Sequence, residues 1–201
     1  MAKNRIETLI ERGDWKTAQG VIEKQLQKKT NDHWLWSRLS AVKYELRDYR
    51  DALDAAQKAL TIVPDCPLAL WSYANAAEMV GETYGAFILY RKLARRGVQQ
   101  LREPDADANE CWEGPDWTAG LIADCVFRAA LCMEKNKRGD LAAEGYREYL
   151  SLIEADSRIP SIYSREDAIE KLKELMPNES DRREAAMKRL VGTKLFRAAI
   201  K

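Results

Sequence analysis

The chain has little histidine and cysteine, and it has none of the short motifs that mark many catalytic and metal sites. Its 201 residues include one histidine, His33, and the four cysteines show no CxxC spacing (Cys66, Cys111, Cys125 and Cys132). Compact spacing of such ligands is what a zinc site requires. The sequence also lacks a P-loop, a dinucleotide-binding fingerprint, a GxSxG motif and a Ser-His-Asp set. We therefore predict a protein that is not an enzyme and that holds no metal and no cofactor.

An excess of charge of one sign is also missing. Lysine and arginine number 33 and aspartate and glutamate 32, so the formal net charge is +1. Domains whose main task is to coat nucleic acid are usually strongly basic. The balance argues against that class.

Long apolar runs are absent as well. No stretch approaches the roughly 20 apolar residues of a membrane span, and the start of the chain, MAKNRIETLIERGDW, carries charges where a signal peptide is apolar. The four cysteines have no paired spacing, and such isolated cysteines are usually small core residues of a protein in a reducing compartment. We expect a soluble, cytoplasmic protein with no membrane partner; the sequence does not indicate an oligomeric state.

What the sequence does contain is a pattern that returns every 34 residues. GDWKTA begins at Gly13, RDYRDA at Arg47 and GETYGA at Gly81. In every copy a turn is followed by a bulky or β-branched residue and then by an alanine (Ala18, Ala52 and Ala86). A fixed period of this size is typical of stacked helical hairpins, because one hairpin cannot bury its apolar face alone. The pattern predicts an all-α fold with Ala52 and Ala86 buried where helices approach closely.

The second copy, residues 33–66, resembles a tetratricopeptide repeat (TPR). The matching positions lie on the first helix, in the turn and on the second helix (Trp36, Leu39, Ser40, Tyr49, Ala52, Ala59 and Pro64). Lys43 and Ala56 depart from the pattern at its two aromatic positions. The resemblance implies a solenoid of helical hairpins with a helical C-terminal cap. It also implies a scaffold or adaptor that binds a peptide or protein partner in the concave groove lined by the first helix of each hairpin.

The repeats suggest a division of the chain. Three TPR-like repeats are predicted at 1–32, 33–66 and 67–97, followed by an acidic insertion loop at 98–116. A fourth, elongated hairpin is predicted at 117–154. Its candidate turn, in RGDLAAEGY from Arg138, places Glu144 where the other copies have alanine. Capping helices are expected over 155–201, the first of them opened by Ser164 with Asp167 as its acidic third residue.

By the positional pattern of the family, the groove displays one set of side chains from each of two repeats (Trp34, Ser37 and Tyr44; Trp71, Asn75 and Glu78). Trp34 and Trp71 are the strongest candidates for anchors, because aromatic side chains bury much area at low entropic cost. Asn75 is expected to hydrogen-bond the partner's backbone. The alternative is that each tryptophan packs under a neighbouring helix or the terminal segment.

Two further segments are biased in charge. Six of the seven charged residues between Val98 and Trp117 are acidic, and Trp112 adds a large apolar side chain to this insertion. We expect the insertion to narrow one end of the groove. The last predicted helix is basic and offers possible secondary contacts (Arg182, Arg183, Lys188 and Arg189). An alternative function follows from it: an accessory factor of a complex associated with nucleic acid. Direct nucleic-acid binding is otherwise not expected.

Overall fold

A computed structural model of the chain describes residues 2–104, 111–156 and 159–176. Within these ranges the regular structure consists of nine helices and no strand, which confirms the all-α fold class. The helices are α1 (Ala2–Glu11), α2 (Trp15–Leu26), α3 (His33–Glu45), α4 (Tyr49–Ile62), α5 (Pro67–Met79), α6 (Thr83–Arg102), α7 (Pro115–Lys135), α8 (Gly139–Ala155) and α9 (Arg165–Leu175). The predicted helix over 181–201 lies outside the described residues.

The chain divides into two compact units, Met1–Glu82 and Thr83–Lys201. The first unit contains α1 to α5 and the second α6 to α9. The boundary falls between the two helices of the predicted third repeat. The acidic insertion is shorter than the sequence pattern indicated, because α6 continues through Arg102 before the chain leaves the helix.

In the first unit each helix packs against the next, and α3 also packs against α5. The centre of the core is formed by side chains that are almost fully enclosed (Ile6, Ile22, Leu35, Leu39 and Val42). The three from α3 recur at i, i+4 and i+7, so they share one face of the helix and point into the same cluster. Asp32 caps α3 by accepting a hydrogen bond from the Leu35 amide at 3.2 Å.

In the second unit α7 packs against α6 and α8, and α8 packs against α9. Aromatic rings form the core around Phe127. The ring of Phe127 meets those of Tyr146 and Tyr149 edge-on, with centroids 5.2 and 5.0 Å apart. It stacks face to face on Tyr163, 3.8 Å away, which holds the segment before α9 against α7. α9 begins with a capping box between Ser164 and Asp167, as the sequence predicted.

Four of the turns share one backbone geometry. Each contains a residue with positive φ: Gly13 (70°), Arg47 (66°), Gly81 (94°) and Lys137 (58°). In every case the next amide donates to a carbonyl five residues back at 2.9 Å, as Asp14 does to Leu9. This is the Schellman arrangement, which ends one helix and turns the chain sharply. The 34-residue period is thus the spacing between successive Schellman turns at Gly13, Arg47 and Gly81. The fourth turn, at Lys137, has the same geometry but comes after the insertion.

The register of the second helix in each hairpin follows from these turns. The helix begins two residues after the positive-φ residue, and its fourth residue is an alanine with no exposed surface (Ala18, Ala52, Ala86 and Ala142). The predicted burial of Ala52 and Ala86 is confirmed. The placement of Glu144 at the alanine position is wrong. Gly139 resembles a turn glycine in the sequence, but it is the first residue of α8, and the turn residue is Lys137.

Candidate partner-binding surface

The six residues predicted to line the groove lie on α3 and α5 of the first unit. These two helices pack against each other, and both pack against α4. The turns keep α3 and α5 in the same position relative to the repeat, so residues 34 apart are equivalent: Ser37 with Trp71, and Tyr44 with Glu78. The first unit therefore brings the predicted residues onto neighbouring helices.

Three of the six are aromatic side chains that are partly exposed: Trp34, Tyr44 and Trp71. Trp34 also packs against the core of the first unit, and the guanidinium of Arg38 lies over its ring, 5.4 Å from the centroid. The ring of Tyr44 meets that of Tyr49 edge-on at 5.5 Å. Each aromatic thus keeps part of its surface available while the rest is held by the protein.

The other three are buried. Ser37 is 1% exposed, and its hydroxyl donates to the carbonyl oxygen of His33 at 2.9 Å. Asn75 and Glu78 are 6% and 5% exposed. In this conformation they present little surface to a partner, because helix packing covers them. The positional pattern did not predict this burial, because it assigns a side chain to a face of the helix and not to a depth.

Ion pairs flank the aromatic residues of α3. Arg38 reaches Glu7 of α1 at 2.7 Å, which ties the first helix to α3 beside Trp34. Lys43 pairs with Asp51 of α4 at 2.7 Å, and the hydrogen bond from the Lys43 ammonium lowers the pKa of the Asp51 carboxyl. The surface around the aromatic residues is therefore held in place by side chains from two neighbouring helices.

Trp36, two residues from Trp34, has a different role. Its indole Nε1 donates to the carbonyl oxygen of Thr30 at 2.7 Å, and the ammonium of Lys58 lies 4.5 Å above its ring. These contacts join the start of α3 to the preceding turn and to α4. Trp36 therefore has a structural role at the start of α3, whereas the positional pattern assigns Trp34 to the groove.

Of the possible secondary contacts, the structure describes Trp112. It lies in the second unit just before α7, where its ring meets that of Trp117 edge-on at 6.1 Å. The guanidinium of Arg96 lies 5.7 Å from the same ring. The insertion is therefore held to α6 and α7 at its C-terminal end. Arg182, Arg183, Lys188 and Arg189 lie outside the described residues.

His33 and Cys66 come together in the first unit, although the sequence spacing gave no sign of it. Their potential ligand atoms lie within 4.8 Å of each other, at the starts of α3 and α5. Imidazole nitrogen and thiolate sulfur are both zinc ligands in proteins. The expectation that the chain holds no metal stays a prediction. Among the described residues no helix is both long and apolar enough to cross a membrane.

Known proteins resemble this chain in fold, but none assigns it to a family. No protein-family model and no curated protein matches the sequence. A crystal structure of MamA protein is similar with a TM-score of 0.63 at 15% identity, over 96% of this chain and 90% of that one. A second MamA crystal structure gives 0.54 at 15% identity, over 89% and 96%. What this chain shares with them is the helical, TPR-like fold.

Proposed function

We propose that this protein is an interaction scaffold or adaptor that binds a peptide or protein partner along α3 and α5. The observation that carries the proposal is the placement of Trp34, Tyr44 and Trp71. They lie partly exposed on neighbouring helices that occupy the same position in successive hairpins. The similarity in fold to the TPR-like MamA structures supports a protein partner.

Trp71 is proposed as the main anchor. Binding energy at protein interfaces is concentrated in a few residues, and tryptophan is enriched among them. Trp34 is expected to contribute less binding energy, because part of its ring already packs against the core of the first unit. Asn75 is buried, so its proposed hydrogen bond to the partner requires a small opening between helices. Direct contact in the present conformation therefore falls to the aromatic side chains.

Binding measurements with matched variants test the proposal. Partners are captured on the immobilised full chain from an extract of the source cells, identified, and measured in purified form by calorimetry. Trp71→Ala should weaken binding by about 2 kcal/mol or more if the residue is a hot spot. Tyr84→Ala is the control, because Tyr84 is an exposed aromatic residue of the second unit. Equal binding by Trp71→Ala and wild type, or unfolding of Trp71→Ala, would contradict the proposal.

We also propose that the scaffold works in the cytoplasm and has no catalytic activity. Cys66, Cys125 and Cys132 are buried free thiols, which is typical of structural cysteines in a reducing compartment. Burial raises the pKa of the Cys125 thiol well above its usual range, so this thiol is not an activated nucleophile. The role of the insertion in narrowing the groove, and the accessory role based on the basic C-terminal helix, stay predictions.

A further inference from the structure

The second unit contains an apolar cleft that the proposed function does not use. It has a volume of about 200 Å³ and is lined by residues from α6, α7 and α8 (Arg91, Ala94, Arg95, Val98, Ile122, Val126, Glu148 and Leu152). Ile122, Val126 and Leu152 are each 2% exposed and form its base. Clefts that hold a drug-sized molecule measure roughly 300–1,000 Å³. This one has room for a single apolar side chain of a partner.

Three charged side chains line the cleft, Arg91, Arg95 and Glu148, and two of them are basic. α6 carries five basic residues and no acidic one (Arg91, Lys92, Arg95, Arg96 and Arg102). Arg91 is paired with Glu148 of α8 at 2.5 Å. Arg95 is exposed, and it forms no hydrogen bond or ion pair with the described residues. Among the residues that the structure describes, Arg95 is therefore a cation without a charge partner at the edge of an apolar cleft.

We propose that this cleft docks an acidic amphipathic segment of a protein partner. One of its apolar side chains enters the cleft, and a neighbouring carboxylate pairs with Arg95. Electrostatic complementarity of this kind selects partners and speeds their association. The apolar base favours a peptide over nucleic acid, whose phosphates would use the basic residues and leave the cleft empty. The surface lies on the second unit, so it goes beyond the binding along α3 and α5 and does not depend on it.

Fluorescence anisotropy on the full chain with two labelled peptides tests the proposal. In one peptide leucines recur at i, i+3 and i+4 and glutamates fill the other positions; in the other, lysines replace the glutamates. The glutamate peptide should bind saturably, and more weakly as salt is added, because exposed charge pairs are screened. The lysine peptide should not bind.

Arg95→Glu and Val98→Trp test the charged part and the apolar part of the site separately. Arg95→Glu should weaken binding of the glutamate peptide about tenfold, since an attraction is replaced by a repulsion. Lys173→Glu makes the same change of charge on an exposed residue of α9 that does not line the cleft, and should change binding by less than roughly twofold. Val98→Trp places a large side chain in the cleft and should abolish binding without lowering the thermal midpoint. Trp71→Ala should leave this binding unchanged.

Several results would overturn the proposal. Equal weakening by Arg95→Glu and Lys173→Glu would mean that binding follows net charge, and failure of both peptides to bind would remove the site. Displacement of the peptide by a short DNA duplex, with Val98→Trp having no effect, would make the surface a phosphate-binding one. Self-association of the wild type that Val98→Trp abolishes would make the occupant a second copy of this chain.

Discussion

Gly145 of α8 lies directly against Ala130 of α7. A Cβ atom placed on Gly145 would stand 2.8 Å from the Ala130 Cβ and 3.3 Å from its Cα. Real Cβ atoms do not approach other carbon atoms so closely, because the backbone of α7 cannot move aside as a flexible side chain would. The two helices of the fourth hairpin therefore cross at this pair, and the absence of a side chain at residue 145 sets how close they come.

Gly145→Ala should destabilise the protein by about 1–3 kcal/mol, the usual cost of overpacking. Gly85→Ala is the matched control in the same unit, because a Cβ there would meet nothing within 4 Å. Since alanine favours helix over glycine, this control should stabilise by up to about 1 kcal/mol. The free energy of unfolding in urea measures both. Stabilisation by Gly145→Ala would show that the helices do not cross there.

The register of the fourth hairpin can be tested in the same way. Ala142→Leu should destabilise by about 1–3 kcal/mol, because Ala142 has no exposed surface and a larger side chain there would overpack the core. Glu144→Leu tests the position that the sequence pattern had favoured. Glu144 is exposed, so this change should alter stability by less than about 0.5 kcal/mol. A larger cost for Glu144→Leu than for Ala142→Leu would contradict the observed register.

The repeat pattern encodes the positions of turns, but it does not encode the depth at which a side chain is buried. Gly13, Arg47 and Gly81 mark turns correctly, because a Schellman turn requires a positive-φ residue at a fixed distance from the next helix. Lys137 was missed, since a lysine in that backbone region carries no sequence signal, whereas the nearby Gly139 imitates one. The burial of Asn75 and Glu78 was missed for another reason. The depth of a side chain depends on neighbouring helices, which a repeat pattern of one segment does not specify.

Two of the four Schellman turns hold a charged residue, Arg47 or Lys137, in the left-handed region. Glycine at such a position should make the protein more stable. Arg47 has φ 66°, and Cβ sterics make this conformation unfavourable for residues other than glycine. Arg47→Gly should therefore raise the free energy of unfolding by about 0.5–1 kcal/mol. Arg50→Gly, three residues later at the second residue of α4, should lower it by up to about 1 kcal/mol. Destabilisation by both variants would count against the turn geometry.

Glu134 links three helices of the second unit. It accepts a hydrogen bond from the Tyr146 hydroxyl at 2.7 Å and another from the Lys171 ammonium at 3.0 Å. Burial raises the pKa of Tyr146 well above its usual range, and the bond to Glu134 raises it further. The bond to Glu134 also raises the pKa of Lys171. Both pKa values are raised in the folded state, so the stabilisation that these two hydrogen bonds give is complete at pH values below the unfolded pKa values, which lie near 10. The stabilisation is lost as the pH rises through the folded pKa values.

Tyr146→Phe should change how stability depends on pH. At neutral pH it should cost about 1 kcal/mol, because the hydrogen bond to Glu134 is removed. Above pH ~10 the wild type should lose stability at up to about 1.4 kcal/mol per pH unit from this residue alone, and the variant should lose less. Urea unfolding at a series of alkaline pH values measures the slopes. The exposed Tyr84→Phe is the control and should follow the wild type; parallel curves for Tyr146→Phe would rule out the linkage.

The most direct test of the account is a hydrogen–deuterium exchange footprint of the full chain with its authentic partner. Binding along α3 and α5 predicts that amides of His33–Glu45 and Pro67–Met79 exchange more slowly in the complex than in the free protein. Trp71→Ala should remove this protection at the same partner concentration. Protection confined to the second unit, with α3 and α5 unchanged, would contradict the claim that these two helices form the binding surface.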